Sequence, residues 1–364
     1  MTVVGDASRA ARLIVVIGAG ASYDCASGRV EPVAGWRPPL VKELFEQRFS
    51  EILHEYPLAE QIAPDIRIAV ESGAVGLEAY LRDQLRRSPY PQLRRRYQAV
   101  PLYLQHLLWE AGRSYARHPD NYDRLVTAAL RLQHATYITL NYDTILDRRL
   151  AIDAPVDSLD DYIHPERNWS LVKLHGSINW GRPVEGEALH ESRLPLRMSG
   201  AQTFAEAYAR LEEDPQLGAE IVVNSGDSLE EFRLGEVIQR THVGALRQMF
   251  YPALSVPLGS EDEIVCPEEH VEHARQQLQS GEGLNLLVVG YSGLDEEVLK
   301  LLASANRPVK TIRVVNGSTE ASFNSVREFA ASLGFEPIIE MAFSGTFTDF
   351  AQGDGLHEYL AGLA

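Results

Sequence analysis

The apolar run Leu13-Ile14-Val15-Val16-Ile17 stops abruptly at Gly18-Ala19-Gly20-Ala21-Ser22, and this junction constrains the fold more than any other feature of the chain. An unbroken β-branched run reads as a strand buried on both faces, and the glycines behind it as a tight turn into a helix. Similar short runs follow at residues 137–140, 171–174, 221–223, 286–289, 312–315 and 337–339. Helical periodicity follows most of them, over 295–302, 319–333 and 347–360. Strands alternating with helices predict an α/β fold, a doubly wound parallel sheet covered on both faces. Ligands of such sheets bind beyond the carboxyl ends of the strands.

Residues 40–133 break the alternation. Apolar positions recur there at helical spacing over 40–53, 77–85, 102–115 and 125–132, which predicts an inserted helical subdomain or cap. The expected organisation is therefore a nucleotide-binding domain of 1–39 and 134–364, with the insertion at 40–133. Residues 181–218 are polar and aperiodic, and are expected to form a long loop excursion. The proline-bearing stretch 32–39 reads as a loop.

Charge and cysteine content narrow the function. With 34 Lys and Arg against 51 Asp and Glu, the net charge is −17, which disfavours general nucleic-acid binding. Arg82, Arg86, Arg87, Arg94, Arg95 and Arg96 form a local basic stretch that reads as a solvated helix face, a subunit contact or a phosphate-binding surface. The two cysteines, Cys25 and Cys266, are too few for a disulfide framework or a four-thiolate zinc site. No apolar run reaches the ~18 residues of a membrane span, and the N-terminal stretch lacks the basic leader of a signal peptide, so the expected location is cytoplasmic.

Several strand ends carry residues suited to chemistry. The glycines of 18–22 allow backbone to approach a pyrophosphate, and the helix start behind them offers N–H groups to an anion. The third glycine of G-x-G-x-x-G is absent, and no acidic residue ends a second strand about 20 residues later, so a hydride-transfer enzyme is disfavoured. Asn141, one residue past a strand, presents an amide. Asp143 reads either as a helix cap or as an electrostatic support. His175 ends another strand and titrates near neutrality, as a general base must, while Gly176 beside it leaves room for a substrate. The segments Gly290-Tyr291-Ser292-Gly293, with Asp295 following, and Asn316-Gly317-Ser318 leave their strands toward the same edge.

In this order, the segments 14–22, 139–143, 174–177, 288–295 and 314–316 resemble the sirtuin-like (Sir2-type) NAD-binding family, and within it the prokaryotic NAD-hydrolysing branch associated with anti-phage defence. The resemblance implies a Rossmann-like domain in which Gly18, Ala19, Gly20, Ala21 and Ser22 hold the dinucleotide phosphates. It implies that Asn141 and Asp143 lie beside the nicotinamide ribose and that His175 is the catalytic histidine. Gly290 and Ser292 match the later phosphate and ribose segment, and Asn316 the contact to the adenosine half. The turn Pro38-Pro39-Leu40 looks like that of the NAD-hydrolysing branch. Sirtuin deacylases carry a four-cysteine zinc module after the histidine, and residues 176–265 contain no cysteine, so no zinc is expected and deacylation is disfavoured.

The function implied is NAD+ glycohydrolase activity, with NAD as substrate and nicotinamide and ADP-ribose as products. The family further implies an effector that depletes NAD and is controlled by assembly, as a homo-oligomer or with a partner such as a translocase-type ATPase. The alternatives are an NAD- or ADP-ribose-binding sensor or structural subunit without catalysis, and, behind it, an NAD-dependent deacylase or ADP-ribosyltransferase.

Overall fold

The computed structural model describes residues 12–26, 37–71, 77–88, 90–115, 120–131, 134–156, 158–185, 222–223, 250–255, 265–293 and 295–363. Its centre is a parallel sheet. The strands are β1 (Arg12–Ile17), β2 (Ala135–Thr139), β3 (Trp169–Lys173), β7 (Leu284–Val289) and β8 (Val309–Val315), in spatial order β3-β2-β1-β7-β8. Ile14 pairs with Thr136 on one side and Leu286 on the other, so β1 lies at the middle. Chain order runs outward from β1 in one direction and then resumes on its other side at β7. This order is that of the doubly wound Rossmann-like fold, with its topological switch point between β1 and β7.

Alternation along the strands feeds two apolar layers. Leu13, Val15 and Ile17 join one cluster with Tyr137, Leu287 and Val289, while Ile14 and Val16 join the other with Ile138, Leu286 and Val288. The first layer is closed by α7 (Asp120–Ala129), α8 (Ile145–Asp153), α12 (Phe347–Gln352) and α13 (Gly355–Ala361). The second is closed by α9 (Glu268–Gln279), α10 (Glu296–Ala303) and α11 (Thr319–Leu333).

Between β1 and β2 the described residues form helices, including α1 (Ala19–Tyr23), α2 (Ser50–His54), α3 (Pro57–Glu71), α4 (Leu77–Arg87), α5 (Pro91–Gln98) and α6 (Val100–Tyr115). From residue 44 to 108 they share a third apolar cluster, and that cluster closes on Tyr142, Ile178 and Leu254. The helical layer thus sits on the loop that leaves β2 and on the antiparallel strand segments 176–185 and 250–254. Helix α7 does not belong to it: Tyr122, Leu125 and Val126 pack on the sheet, so the last helix of 40–133 covers the α/β core.

Local readings differ in four places. Residues 40–53 do not make one helix; they form two 3-10 turns, Val41–Glu43 and Gln47–Phe49, before α2, with Glu43 folding back to accept the Leu40 N–H. Residues 337–339 do not form a strand. A 3-10 turn, Ile339–Met341, lies there instead with Ile338 and Ile339 about half exposed, and Ala342 alone bridges to Val314. The helix expected over 347–360 is split at Gly353 into α12 and α13. Finally, residues 176–185 form β4 (Gly176–Glu185), which pairs antiparallel with β5 (Val222–Val223) and β6 (Phe250–Leu254), so the expected excursion begins as a strand. Residues 186–218 and 27–36 lie outside the described residues. Among the described residues, no helix is long and apolar enough to cross a membrane.

Candidate functional site

The Gly-rich turn is built against the end of β7. Gly18 donates its N–H to Val289 and Gly20 donates to Gly290, both at 3.0 Å, while Ala21 donates back to Gly18. A Cβ on Gly18 would stand 2.4 Å from the Gly290 carbonyl oxygen, and one on Gly290 (φ +64°) would stand 2.0 Å from the Ala21 nitrogen. The glycines are therefore required by the close approach of two loops at the switch point between β1 and β7. The N–H groups of Gly18, Gly20 and Ala21 are thus spent on protein carbonyls. The space beside Gly176 (φ +80°) is likewise taken by protein, since a Cβ there would meet the Ala253 carbonyl oxygen of β6 at 2.0 Å.

Asn141 reaches this turn from the end of β2. Its side-chain amide donates to the Gly18 carbonyl and to the Ser22 hydroxyl, each at 3.0 Å, and its N–H donates to Thr139 Oγ1. Ser22 also shares a hydrogen bond of 3.0 Å with the buried Tyr122 hydroxyl. Asp143 is buried and accepts the Ile145 N–H at 2.9 Å in an Asx-type turn; the N-cap position of α8 is Thr144, one residue later, and its side chain makes no capping bond. Burial raises its carboxyl, opposed by Lys173, the Ile145 N–H and the Ser22 hydroxyl.

Beneath these residues runs a buried polar chain that the sequence did not announce. Lys173, fully buried at the last position of β3, donates to the Asp143 carbonyl at 2.5 Å and to both oxygens of Asp147 at 3.0 and 3.1 Å. Tyr162 donates to Asp147 at 2.9 Å, Asn179 donates to Tyr162, and Ser177 donates to Asn179 at 2.5 Å. A single charge ending an apolar run was the available signal for Lys173.

His175 follows on the same strand exit and is about nine-tenths buried. Its Nε2 lies 3.2 Å from Asp295 Oδ2 and 3.8 Å from Glu297 Oε2, and its Nδ1 lies 3.9 Å from Glu78 Oε1. Glu78 comes from the first turn of α4 and accepts the Tyr142 hydroxyl at 2.7 Å, while the Tyr142 ring lies 6.3 Å from the imidazole. Burial alone would lower the imidazole pKa. The hydrogen bond to Asp295 and the charges of Glu78, Asp295 and Glu297 outweigh it and raise the value above 6.5.

The remaining residues arrive from β7 and β8. Ser292 is exposed in the loop after β7. Asn316 points its amide to Ser325 at 3.2 Å, and Ser325 in turn donates to the Tyr291 carbonyl. The structure thus joins the 18–22 turn, Asn141, Asp143 and Gly290 in one bonded group, and links His175 to it through Tyr142, the neighbour of Asn141. Glu78, Tyr122, Tyr142, Asp147 and Lys173 were missed.

His175, Asp295 and Glu297 are the one group among the described residues whose ligand atoms, all within 4.8 Å of one another, have the spacing of a cation site. Asp295 already spends one oxygen on capping α10, and the Glu297 side chain is 61% exposed, so the grouping reads as a histidine bracketed by acids. No family model matches the chain, and no curated protein matches it.

Solved structures similar to this one include Sir2 homologues. A mutant Sir2 homologue in complex with 2′-O-acetyl-ADP-ribose is 11% identical with a TM-score of 0.41, the match covering 99% of this chain and 96% of that one. A Sir2 homologue in complex with NAD is 10% identical with a TM-score of 0.39, covering 98% and 93%. A further mutant Sir2 homologue, in complex with ADP-ribose, is 11% identical with a TM-score of 0.34, covering 97% and 91%.

Proposed function

We propose that this chain is an NAD+ glycohydrolase that cleaves the bond between nicotinamide and ribose. The observation that carries the reading is the convergence of Asn141, His175 and the 18–22 turn at the carboxyl-end rim of the sheet, at the switch point between β1 and β7. In this reading residues 1–39 and 134–364 form the NAD-binding domain, and the helical cap within 40–133 closes over it.

Departure of nicotinamide turns a pyridinium cation into a neutral molecule, so no acid is needed at the leaving group. The barrier lies in the oxocarbenium-like sugar and in delivery of water. The carboxylates of Glu78, Asp295 and Glu297 around His175 favour positive charge developing there. His175 takes a proton from the water or from a ribose hydroxyl, and Asn141, whose amide hydrogens are held by Gly18 and Ser22, orients the ribose or the attacking water by its amide oxygen. Asp143 supports the start of α8 beneath them. Gly18, Ala19, Gly20, Ala21 and Ser22 form the floor under the phosphates, with Gly290 and Ser292 at its far side and Asn316 toward the adenosine.

By resemblance the reading extends to a defence effector that depletes NAD and is restrained by assembly, with copies of itself or with a translocase-type ATPase. Mass measurement in solution with and without such a partner tests that extension, and a fully active monomer contradicts it. The reaction itself is tested by incubating the protein with NAD alone. Nicotinamide and ADP-ribose as products support hydrolysis. Tight binding of unchanged NAD supports a sensor, and turnover that requires an acylated peptide supports deacylation.

A further inference from the structure

Asp295 is held with more restraint than a turn residue requires. Its Oδ1 accepts the N–H groups of Glu297 and Val298 at 3.0 and 3.1 Å, which caps α10. Its own N–H donates to the Tyr291 hydroxyl at 2.9 Å, and that hydroxyl donates to the Asp295 carbonyl at 3.3 Å. Tyr291 is itself buried and packs edge-on against Phe329. The second carboxylate oxygen, Oδ2, is left facing His175 Nε2 at 3.2 Å.

We infer that Asp295 is the positioning residue for His175, fixing the ring so that Nε2 carries the hydrogen and Nδ1 keeps the lone pair. An ionised carboxylate only accepts hydrogen bonds, so the imidazole nitrogen facing it is the donor. In the neutral ring the other nitrogen is then the base. Nδ1 stands 3.9 Å from Glu78 Oε1, too far for a hydrogen bond, so Glu78 leaves its lone pair unengaged. When Nδ1 takes a proton from a hydroxyl or a water, the resulting imidazolium is bracketed by Asp295 at one nitrogen and by Glu78 at the other, with Glu297 and the Tyr142 ring beside it. The role rests on the hydrolase reading for its chemistry, while the pairing itself does not.

The test is Asp295→Asn in the full chain. Asparagine caps a helix as well as aspartate does, so α10 and the melting temperature are retained. Its amide, however, donates to Nε2 and moves the hydrogen to Nδ1, removing the base. The expected result is a fall in kcat for nicotinamide release of about 10²–10⁴-fold, the size of general-base catalysis, with KM for NAD unchanged. In parallel, NMR titration of His175 is expected to show a lower midpoint in the variant. An unchanged midpoint overturns the pairing, whatever the kinetics show. If the wild-type chain releases no nicotinamide, a lowered midpoint still supports the pairing and the hydrolase reading alone fails.

Discussion

Asn141 donates its side-chain amide to the backbone carbonyl of Gly18 at 3.0 Å, across the gap between the ends of β2 and β1. The same amide holds the Ser22 hydroxyl, so one side chain ties the exit of β2 to the Gly-rich turn. Asn141→Asp replaces this donor by a carboxylate that faces an acceptor. We expect the substitution to destabilise the turn by about 1–3 kcal/mol, the cost of leaving buried polar groups unpaired, and to weaken NAD binding. Denaturant titration and calorimetric binding check both.

The loop contact at Gly290 predicts a sharp contrast between two glycines. Gly290→Ala drives a Cβ into the Ala21 nitrogen at 2.0 Å and strains a residue at φ +64°. It should disrupt the 18–22 turn and abolish NAD binding. Gly317→Ala has the same kind of backbone, φ +78°, with nothing within 4 Å of the added carbon. It should cost only about 1–2 kcal/mol, with binding intact. Equal losses in thermal melts and binding assays would count against the packing argument.

The Lys173–Asp147 pair sits almost without solvent access, its side chains 1% and 3% exposed. Lys173→Met leaves a buried carboxylate uncompensated, and we expect a loss of about 3–5 kcal/mol by chemical denaturation. The double variant with Asp147→Asn removes the orphaned charge while keeping an acceptor for Tyr162, and should recover part of that loss.

The acids around His175 set a pH dependence. Its native pKa is raised above 6.5, so the stability from its charged form is complete below the ordinary value and is lost as pH rises through the raised one. Nicotinamide release needs the neutral base and should therefore rise with pH, with its midpoint above 6.5. Glu78→Gln keeps an acceptor for Tyr142 but removes a charge 3.9 Å from Nδ1, and should move the midpoint down. A pH–rate profile of the two proteins is the measurement.

Much of the α/β core was legible because β1, β2, β3 and β7 are short, largely apolar runs buried at nearly every position, and even β8, half-exposed at its start, ends in an apolar pair before a turn. Asn141 and His175 were legible for the same reason, as polar residues one step beyond such runs. Strand β4 was not, since Gly181 and Pro183 interrupt a period-two signal in which Ile178 and Trp180 alternate with buried Ser177 and Asn179. Glu78 was hidden because only docking of the helical cap brings it to His175. The apolar residues at 337–339 misled in the opposite sense: apolar character alone suggested a strand where the chain makes a surface turn.

Nicotinamide release by purified wild-type protein, set against His175→Ala and Asn141→Ala with NAD binding measured in each, tests the central claim most directly. The account predicts turnover by the wild type, release reduced by about 10²–10⁴-fold with binding retained in His175→Ala, and reduced release with weaker binding in Asn141→Ala. Undiminished release from both variants would contradict it.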